Sequence, residues 1–477
     1  MKNLQIGDND LIGKRFNGHD LHIYLRQRGI DSSHIVWNKQ SDDKHTFVLS
    51  GDDPNRNINN QMLAGLERVF GLHSVLLPYS YSLLNSKQFL EADVVHYHLI
   101  HNYFFNISLL PILTKLKPTV WTLHDPWALT GHCIHPFDCQ RWKTGCGDCG
   151  DLNTPFAINK DTSALYWEIK RDLYRQMDVD IIVSSRWMQN MVEQSPLVSN
   201  FKVHRIPFGL DLDKYSPGNA AEAKCRLGIP QNNLVVCFRA QSNPFKGMES
   251  VKQCLRQLKT DAPVTLLAVA KDTSLEEFLP RFQIIDFEFV TDDSIMTDAY
   301  NASDVLLMPS AAESFGMMAM EAMAFGKPVI VYDGTPLSET IFAPEGGIAV
   351  PQGDVDALTC ELESLLDNPE RRLALGRRAR KLAEQHYDVE KYVSKIDEVY
   401  KEVIARRTIG EREKYIISQL KKIAQDTPRW QYVLPDSSLK AKIKGKLRKV
   451  PLLRPIYHNI YKPAKKLAGK IVRKVAL

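Results

Sequence analysis

The chain has 477 residues, of which 44% are hydrophobic and 25% are charged, with a formal net charge of +5. This length exceeds the roughly 250–300 residues at which a single core stops growing, so we expect more than one domain in a soluble, globular, cytoplasmic protein. The sequence shows no signal peptide and no apolar run of the roughly 18 residues that a membrane-spanning helix needs.

The first predicted elements are a short strand, a glycine-bearing loop and a helix. The strand covers Leu4–Gly7, the loop contains Gly13, and an amphipathic helix runs from about His19 to Arg28. Loops that follow the strands of an open α/β sheet often bind ligands, but a plain connection between strand and helix gives the same pattern. Both interpretations stay open for Gly13.

Two later strands are predicted to end in histidines. Asp93–His98 has His96 and His98 at its C-terminal end, where they are either ligand-binding groups or a satisfied buried pair. The second strand begins at Thr119 and is followed by His124. A neutral imidazole can both donate and accept a hydrogen bond, which suits contact with a hydroxyl group of a ligand.

A cysteine-rich segment comes next and reads as an irregular loop. Its closing Cys-x-x-Cys, with two more cysteines within seventeen residues, has the number and spacing of a structural four-thiolate zinc site. His132 and His135 are alternative ligands, and disulfides or free structural thiols are alternative interpretations. The predicted zinc ligands are Cys133, Cys139, Cys146 and Cys149.

Asp180–Trp187 is predicted as a strand that continues into a helix, and His204–Pro217 as an interdomain hinge because of its prolines and glycine. The next strand, Leu234–Ala240, ends at Arg239, and Lys246 follows in a polar loop. Cations at this point are suited to bind phosphate oxygens, and an unpaired arginine at the end of an apolar strand would otherwise be costly.

Further strands are predicted at Thr265–Ala270 and Phe287–Val290. The run Ser310–Ile330 is predicted as a loop and helix between strands. Its helix N-terminus would present free N–H groups to phosphate or sugar hydroxyls, beside Glu313 and Glu321. A plain buried strand–helix unit with two solvated glutamates is the alternative.

The C-terminal segment is strongly basic, because residues 437–477 contain thirteen Lys and Arg residues and no acidic residue. Its leucines, isoleucines and valines recur at helical spacing among the lysines, which favours binding to an anionic membrane surface. Nucleic acid and a solvated tail are the alternatives, although few aromatic residues are present for stacking.

The spacing of Glu313, seven residues and Glu321, set in Glu-Ser-Phe-Gly-Met and Glu-Ala-Met-Ala-Phe-Gly-Lys-Pro-Val, resembles the signature of family 4 retaining nucleotide-sugar glycosyltransferases. The resemblance implies an α/β GT-B fold, with two Rossmann-like domains facing each other across a cleft, and transfer that needs no metal. It implies catalytic roles for His124, Glu313, Arg239 and Lys246. The donor-binding residues that it implies are Arg239, Lys246, Ser314, Phe315, Gly316, Met317, Glu321 and Gly13.

We therefore predict a glycosyltransferase that uses a UDP- or GDP-sugar and a lipid-linked glycan acceptor in surface polysaccharide synthesis at the inner face of the plasma membrane. The alternatives are a GT-B nucleotide-sugar epimerase or phosphorylase, and a non-catalytic sugar- or nucleic-acid-binding protein. The predicted organisation is an acceptor-side domain (1–207), a donor-binding domain (208–386), a helix crossing back (387–406) and a basic amphipathic tail (407–477).

Overall fold

The computed structural model describes residues 1–426, apart from residues 52, 154–155, 289, 291 and 408. The apolar face proposed for the tail, between residues 439 and 475, lies outside the described residues. Among the residues described, no helix is long and apolar enough to cross a membrane.

The first half of the chain folds around a seven-stranded sheet in which neighbouring strands run parallel. Its strands are β1 (Lys2–Asn9), β2 (Asp31–Asn38), β3 (Thr46–Val48), β4 (Val94–Tyr97), β5 (Thr119–Thr122), β6 (Asp180–Val183) and β7 (Lys202–Arg205). Their order across the sheet is β3-β2-β1-β4-β5-β6-β7. Since β1 lies near the middle, the loop that follows it reaches the ligand-binding edge of the sheet.

The second half folds around a six-stranded sheet whose neighbouring strands are also parallel. Its strands are β8 (Leu234–Arg239), β9 (Val264–Val269), β10 (Gln283–Asp286), β11 (Val305–Met308), β12 (Val329–Tyr332) and β13 (Ile348–Val350). The order is β10-β9-β8-β11-β12-β13, so β8 and β11 are adjacent at the centre. Two parallel sheets, each with its own buried core, confirm the predicted pair of Rossmann-like domains.

Fifteen α-helices lie between and after the described strands. The helices of the first sheet are α1 (His19–Gln27), α2 (Arg56–Phe70), α3 (Lys87–Glu91), α4 (Leu110–Leu116), α5 (Ser163–Tyr174) and α6 (Arg186–Gln194). The others are α7 (Ala220–Arg226), α8 (Met248–Gln257), α9 (Asp293–Ala302), α10 (Met317–Ala324), α11 (Leu337–Thr340), α12 (Val355–Asp367), α13 (Pro369–His386), α14 (Val389–Arg406) and α15 (Glu411–Asp426).

Two elements differ from the sequence-based predictions. The strand predicted at Phe287–Val290 is wrong in position, because β10 covers Gln283–Asp286. Beyond β10, two main-chain hydrogen bonds of Phe287 extend the pairing among the described residues, from Phe287 N to Ala268 O and from Lys271 N to Phe287 O. The polar helical stretch from about 354 to 386 is two helices. The break falls at Asn368, whose side chain caps α13, and at Pro369, which lacks the N–H that a continuous helix would use.

Helix α14 packs on the first sheet although it follows the second sheet in sequence. Its apolar side chains Val393, Ile396 and Tyr400 share one core cluster with Val120 and Ile182 of the first sheet. The predicted boundaries at residues 207, 386 and 406 stay a prediction, but this packing gives the first sheet a layer that comes from the end of the chain.

Candidate functional site

The ends of β8 and β11 bring a lysine and a glutamate into contact. The two strands are hydrogen-bonded neighbours, so the loops that follow them meet at one edge of the sheet. Gly247 has φ +69°, and a Cβ there would lie 1.8 Å from the main-chain oxygen of Pro309, so only glycine permits this close approach. As a result, Lys246 Nζ donates a hydrogen bond to Glu313 Oε1 at 2.6 Å.

Arg239 ends β8 beside this pair. Its Nε is buried and has no hydrogen-bond partner among the described residues. A buried N–H that lacks an acceptor costs roughly 1–3 kcal/mol, and more on a charged group. The position therefore fits an anionic ligand whose oxygens would accept from the guanidinium.

Helix α10 begins next to these cations without a side-chain cap. Gly316 precedes it with φ 100°, and no side chain accepts a hydrogen bond from its first turn. A helix start without a side-chain cap can bind an anion, and the ligand contact of Met317 stays a prediction. Phe315 is instead buried against Phe208, and the Ser314 carbonyl accepts a hydrogen bond from Ser185 of the first half.

Glu321, on α10, is 9% exposed and is held from both halves of the chain. Its Oε2 accepts a hydrogen bond from Tyr300 at 2.6 Å, and its Oε1 accepts one from Arg15 of the loop after β1. Burial lowers the pKa of the Arg15 guanidinium, but the carboxylate of Glu321 and other nearby groups outweigh it and raise the pKa, so this arginine is charged. Neither Arg15 nor Tyr300 was predicted from the sequence as a partner of Glu321.

His124 lies two residues beyond β5 and is 6% exposed. Its ring stacks on Phe208 with centroids 5.7 Å apart and meets the edge of Phe16 at 5.5 Å. Its Nε2 lies 3.2 Å from Nδ1 of His98, whereas its Nδ1 is buried without a hydrogen-bond partner in the described structure. Burial lowers the pKa of His124 to about 3, so the ring is neutral at physiological pH.

In the loop after β1, the glycine that packs against a histidine of the site is Gly18, which was not predicted as a site residue. Gly13 has φ +60° and turns the chain, since its carbonyl accepts from the main-chain N–H groups of Phe16 and Asn17. At Gly18 a Cβ would lie 2.4 Å from Nε2 of His98, so this position needs glycine for the start of α1 to pack on that ring. A glycine before a helix is common in sequences, and only the fold identifies its neighbour.

The histidines at the end of β4 are a satisfied buried pair. His96 bonds Tyr400 at 2.7 Å and Thr122 at 2.6 Å, while His98 bonds Gln5 at 2.9 Å in addition to His124. Of the two interpretations of this pair, the structure supports the one without a direct ligand contact, although His98 touches a residue of the predicted reaction centre.

The four predicted zinc ligands line one small cavity of about 30 Å³, together with His132. All four are free thiols, so none of them forms a disulfide. Burial raises the pKa of Cys133 to about 12 and that of Cys146 to about 11. Across the described ranges, no group of three or more His, Cys, Asp or Glu residues is placed to hold a metal ion, so the zinc prediction gains no support from this geometry.

The cysteine segment also reaches the second half of the chain. His135 stacks on Trp187 with centroids 5.2 Å apart, and Phe137 packs against Phe245 at 5.3 Å. Since Phe245 directly precedes Lys246, the segment lies against the predicted donor-binding loop.

Residues 220–382, which include Arg239, Lys246, Glu313 and Glu321, match the family described as Glycosyl transferases group 1. This segment, about a third of the chain, is therefore similar to the group 1 glycosyltransferases. A D-inositol 3-phosphate glycosyltransferase of Gordonia bronchialis is 32% identical over 214 residues, or 40% of this chain and 47% of that protein. The chain thus spans about half the length of this curated relative.

Solved structures of low sequence identity share the fold. HepE of Anabaena, in complex with UDP and glucose, superposes with a TM-score of 0.58 at 17% identity, over 84% of this chain and 99% of that one. WaaG, a glycosyltransferase involved in lipopolysaccharide biosynthesis, gives a TM-score of 0.56 at 14% identity, over 84% and 99%. Together with the two parallel sheets, these matches establish the GT-B fold.

Proposed function

We propose that this protein is a retaining, metal-independent glycosyltransferase that moves a sugar from a nucleoside-diphosphate sugar to a glycan acceptor. The observation that carries the proposal is the buried Nε of Arg239, which has no hydrogen-bond partner in the described part of the chain, together with Lys246 and the uncapped start of α10. Three sources of positive potential meet at the ends of adjacent strands, which suits a diphosphate that gains charge as the sugar leaves.

The reaction would proceed on one face of the sugar. The acceptor oxygen forms a bond to the anomeric carbon while the bond from that carbon to the diphosphate oxygen breaks, and the acceptor proton passes to the leaving phosphate. Arg239 and Lys246 stabilise the leaving group, and Glu313 holds sugar hydroxyls after its lysine partner turns toward the phosphate. Glu321 accepts hydrogen bonds from the ribose, and His124 contacts the sugar from the first half of the chain.

A donor panel tests this proposal. Purified protein is mixed with UDP-, GDP-, ADP- and dTDP-sugars, and thermal stabilisation and slow donor hydrolysis are measured. We expect one donor to raise the melting temperature and to be hydrolysed, because a ligand at 100 times its Kd stabilises a protein by about 2.7 kcal/mol. Failure of every nucleotide sugar to bind the folded protein would overturn the proposal.

Product analysis separates the alternatives and the stereochemistry. An epimerase changes the donor without an acceptor, a phosphorylase releases a sugar phosphate, and a binding protein releases nothing. Once donor and acceptor are known, the anomeric coupling in the proton NMR spectrum of the first product reports the configuration. Retention is expected, and an inverted product would rule out transfer on one face.

We further propose that the acceptor is lipid-linked and belongs to a surface polysaccharide, with the basic segment 437–477 bound to an anionic membrane surface. The composition of that segment supports the idea, as anionic lipid contributes about 1 kcal/mol per basic residue near the surface. Co-sedimentation with vesicles of anionic and of neutral lipid should show anion-dependent binding that a chain lacking 437–477 has lost. Equal binding by the shortened chain would contradict this role.

A structural zinc ion at Cys133, Cys139, Cys146 and Cys149 stays a prediction. It rests on the number and spacing of the cysteines; all four thiols border one cavity, but no group of three or more metal-ligating side chains among the described residues is arranged to hold a metal ion. Elemental analysis of protein purified without chelators should give one zinc per chain, and the Cys146→Ser, Cys149→Ser double variant should lose it. Metal-free wild-type protein of unchanged stability would reject the prediction.

A further inference from the structure

A buried chain of hydrogen bonds runs from the main chain of β2 to His124. Asn3 Nδ2 lies 3.3 Å from the carbonyl oxygen of Asp31, and Gln5 Nε2 lies 2.9 Å from Asn3 Oδ1. Gln5 Oε1 is 2.9 Å from Nε2 of His98, whose Nδ1 is 3.2 Å from Nε2 of His124. The four residues that form this series of hydrogen bonds are each at least nine-tenths buried: Asn3, Gln5, His98 and His124.

The main-chain carbonyl sets the direction of every bond in this chain. A carbonyl oxygen can only accept, so the Asn3 amide must turn its nitrogen toward Asp31 and its oxygen toward Gln5. Gln5 then donates from Nε2, and its Oε1 accepts from Nε2–H of His98. Reversing either amide would place two donors or two acceptors against each other.

The same assignment of donors and acceptors extends to the ring nitrogens of His98 and His124, because both rings are neutral. Burial lowers the pKa of His98 well below its ordinary value, and the nearby histidines His96, His124 and His34 lower it further. For His124, burial outweighs the opposing effect of Asp125. A neutral His98 that carries its proton on Nε2 has a lone pair on Nδ1, and that lone pair accepts from Nε2–H of His124.

We propose that this series of hydrogen bonds holds His124 in its Nε2–H tautomer. The Nδ1 atom of His124, which has no partner among the described residues, is then a hydrogen-bond acceptor. Gln5 and His98 are positioning residues in this arrangement. Any group that bonds Nδ1 must then donate a proton, which selects a hydroxyl and excludes an unprotonated carboxylate or phosphate oxygen. That the hydroxyl belongs to a sugar rests on the proposed function, whereas the tautomer does not.

The test is an NMR measurement on the full-length protein without ligand. Two-bond proton–nitrogen correlation spectra of protein labelled with ¹⁵N-histidine distinguish a protonated ring nitrogen from a bare one. The signals of His124 are assigned by their loss in His124→Gln or His124→Asn. We expect a protonated Nε2 and a bare Nδ1 at pH 7, while protonation of Nδ1, of both nitrogens, or a mixture would overturn the proposal.

A pair of variants tests the positioning roles. Gln5→Leu removes the acceptor that fixes the proton of His98, so His124 should sample both tautomers. Thr122→Val removes a hydrogen-bond partner of His96 in the same buried layer, outside the chain to His124, and should leave the tautomer unchanged. An unaltered His124 signal in folded Gln5→Leu would refute the role of Gln5; should that variant not fold, the wild-type spectrum still decides the tautomer.

This experiment is independent of the donor panel. A protein that binds no nucleotide sugar but shows the expected tautomer would refute the proposed function and keep the hydrogen-bond chain. A protein that transfers sugar with the other tautomer would do the reverse.

Discussion

Arg239 and Lys246 carry the same charge, but only Lys246 has a carboxylate partner. Its bond to Glu313 keeps both side chains satisfied before a ligand binds, whereas Nε of Arg239 has no partner in the described residues. A donor diphosphate would therefore satisfy Arg239 directly and would compete with Glu313 for Lys246. This exchange would free Glu313 for the hydroxyls of the sugar.

The substitution Lys246→Ala tests this exchange. We expect kcat/KM for transfer to fall by roughly 10²–10³, because a charge aimed at the leaving group is lost, while the melting temperature changes little. Arg256→Ala is the matched control, since Arg256 pairs with Glu277 at an exposed site and should leave transfer unchanged. Normal transfer by Lys246→Ala would remove the lysine from the reaction.

Sequence reasoning reached Arg239 and Lys246 because a cation at the end of an apolar strand is visible in the local pattern. It did not reach Arg15, whose partner Glu321 lies 306 positions away. Gln5 likewise has one distant partner, Tyr400 on α14, which lies 395 positions away. Only the fold brings such residues together.

At the scale of elements, the unit β11–α10–β12 agrees with its prediction, since apolar strands and a helix ended by Gly326 are local signals. The strand after β9 was predicted at the wrong residues, because the alternating Phe-Glu-Phe-Val has a stronger strand pattern than Gln283–Asp286. The latter segment, β10, is the one that pairs with β9. The shape of the cysteine segment could not be predicted, because irregular loops carry no periodicity.

The turn after β8 depends on the close approach of Gly247 to Pro309. Gly247→Ala should destabilise the protein by several kcal/mol and abolish donor binding, as its Cβ would meet the oxygen of Pro309 at 1.8 Å. Gly228→Ala is the control: φ is +68° there as well, but no atom lies within 4 Å, so only the backbone strain of about 1 kcal/mol remains. Thermal unfolding measures both, and equal losses would show that the contact with Pro309 is unimportant.

Within the described chain, helix α14 follows the second sheet in sequence but packs against the first sheet. Asp180, at the start of β6, is 1% exposed and binds His204 at 2.8 Å and Arg406 of α14. Burial by itself raises the pKa of Asp180, but the hydrogen bonds from His204 and Arg406 outweigh it and hold the pKa below the ordinary 3.8. The charged carboxylate therefore stabilises the folded state.

This contribution should be present above pH 4 and should disappear as the pH falls through the lowered pKa of Asp180. Asp180→Asn should lower the free energy of unfolding by about 2 kcal/mol at pH 7. The difference from wild type should begin to shrink below pH 4, where the carboxyl of the unfolded chain takes up a proton, and should vanish once the native carboxyl is protonated at its lowered pKa. Denaturant unfolding at several pH values measures it.

Asp178→Asn is the control for this pH series, because Asp178 is 59% exposed and pairs with Arg407 at 3.4 Å near the surface. It should change stability by less than about 1 kcal/mol. A difference between wild type and Asp180→Asn that stays constant from pH 7 to pH 3 would mean that the charge of Asp180 does not stabilise the fold.

We infer that the second half of the chain binds a nucleoside diphosphate through Arg239. Isothermal titration of UDP and of GDP into wild type and into Arg239→Gln tests it most directly. We predict 1:1 binding of one of them to wild type, and at least about tenfold weaker binding to the variant at an equal melting temperature, since a charge-assisted hydrogen bond contributes about 1.5–3 kcal/mol. Equal affinity of the two proteins, or no binding of either nucleotide to wild type, would contradict the account.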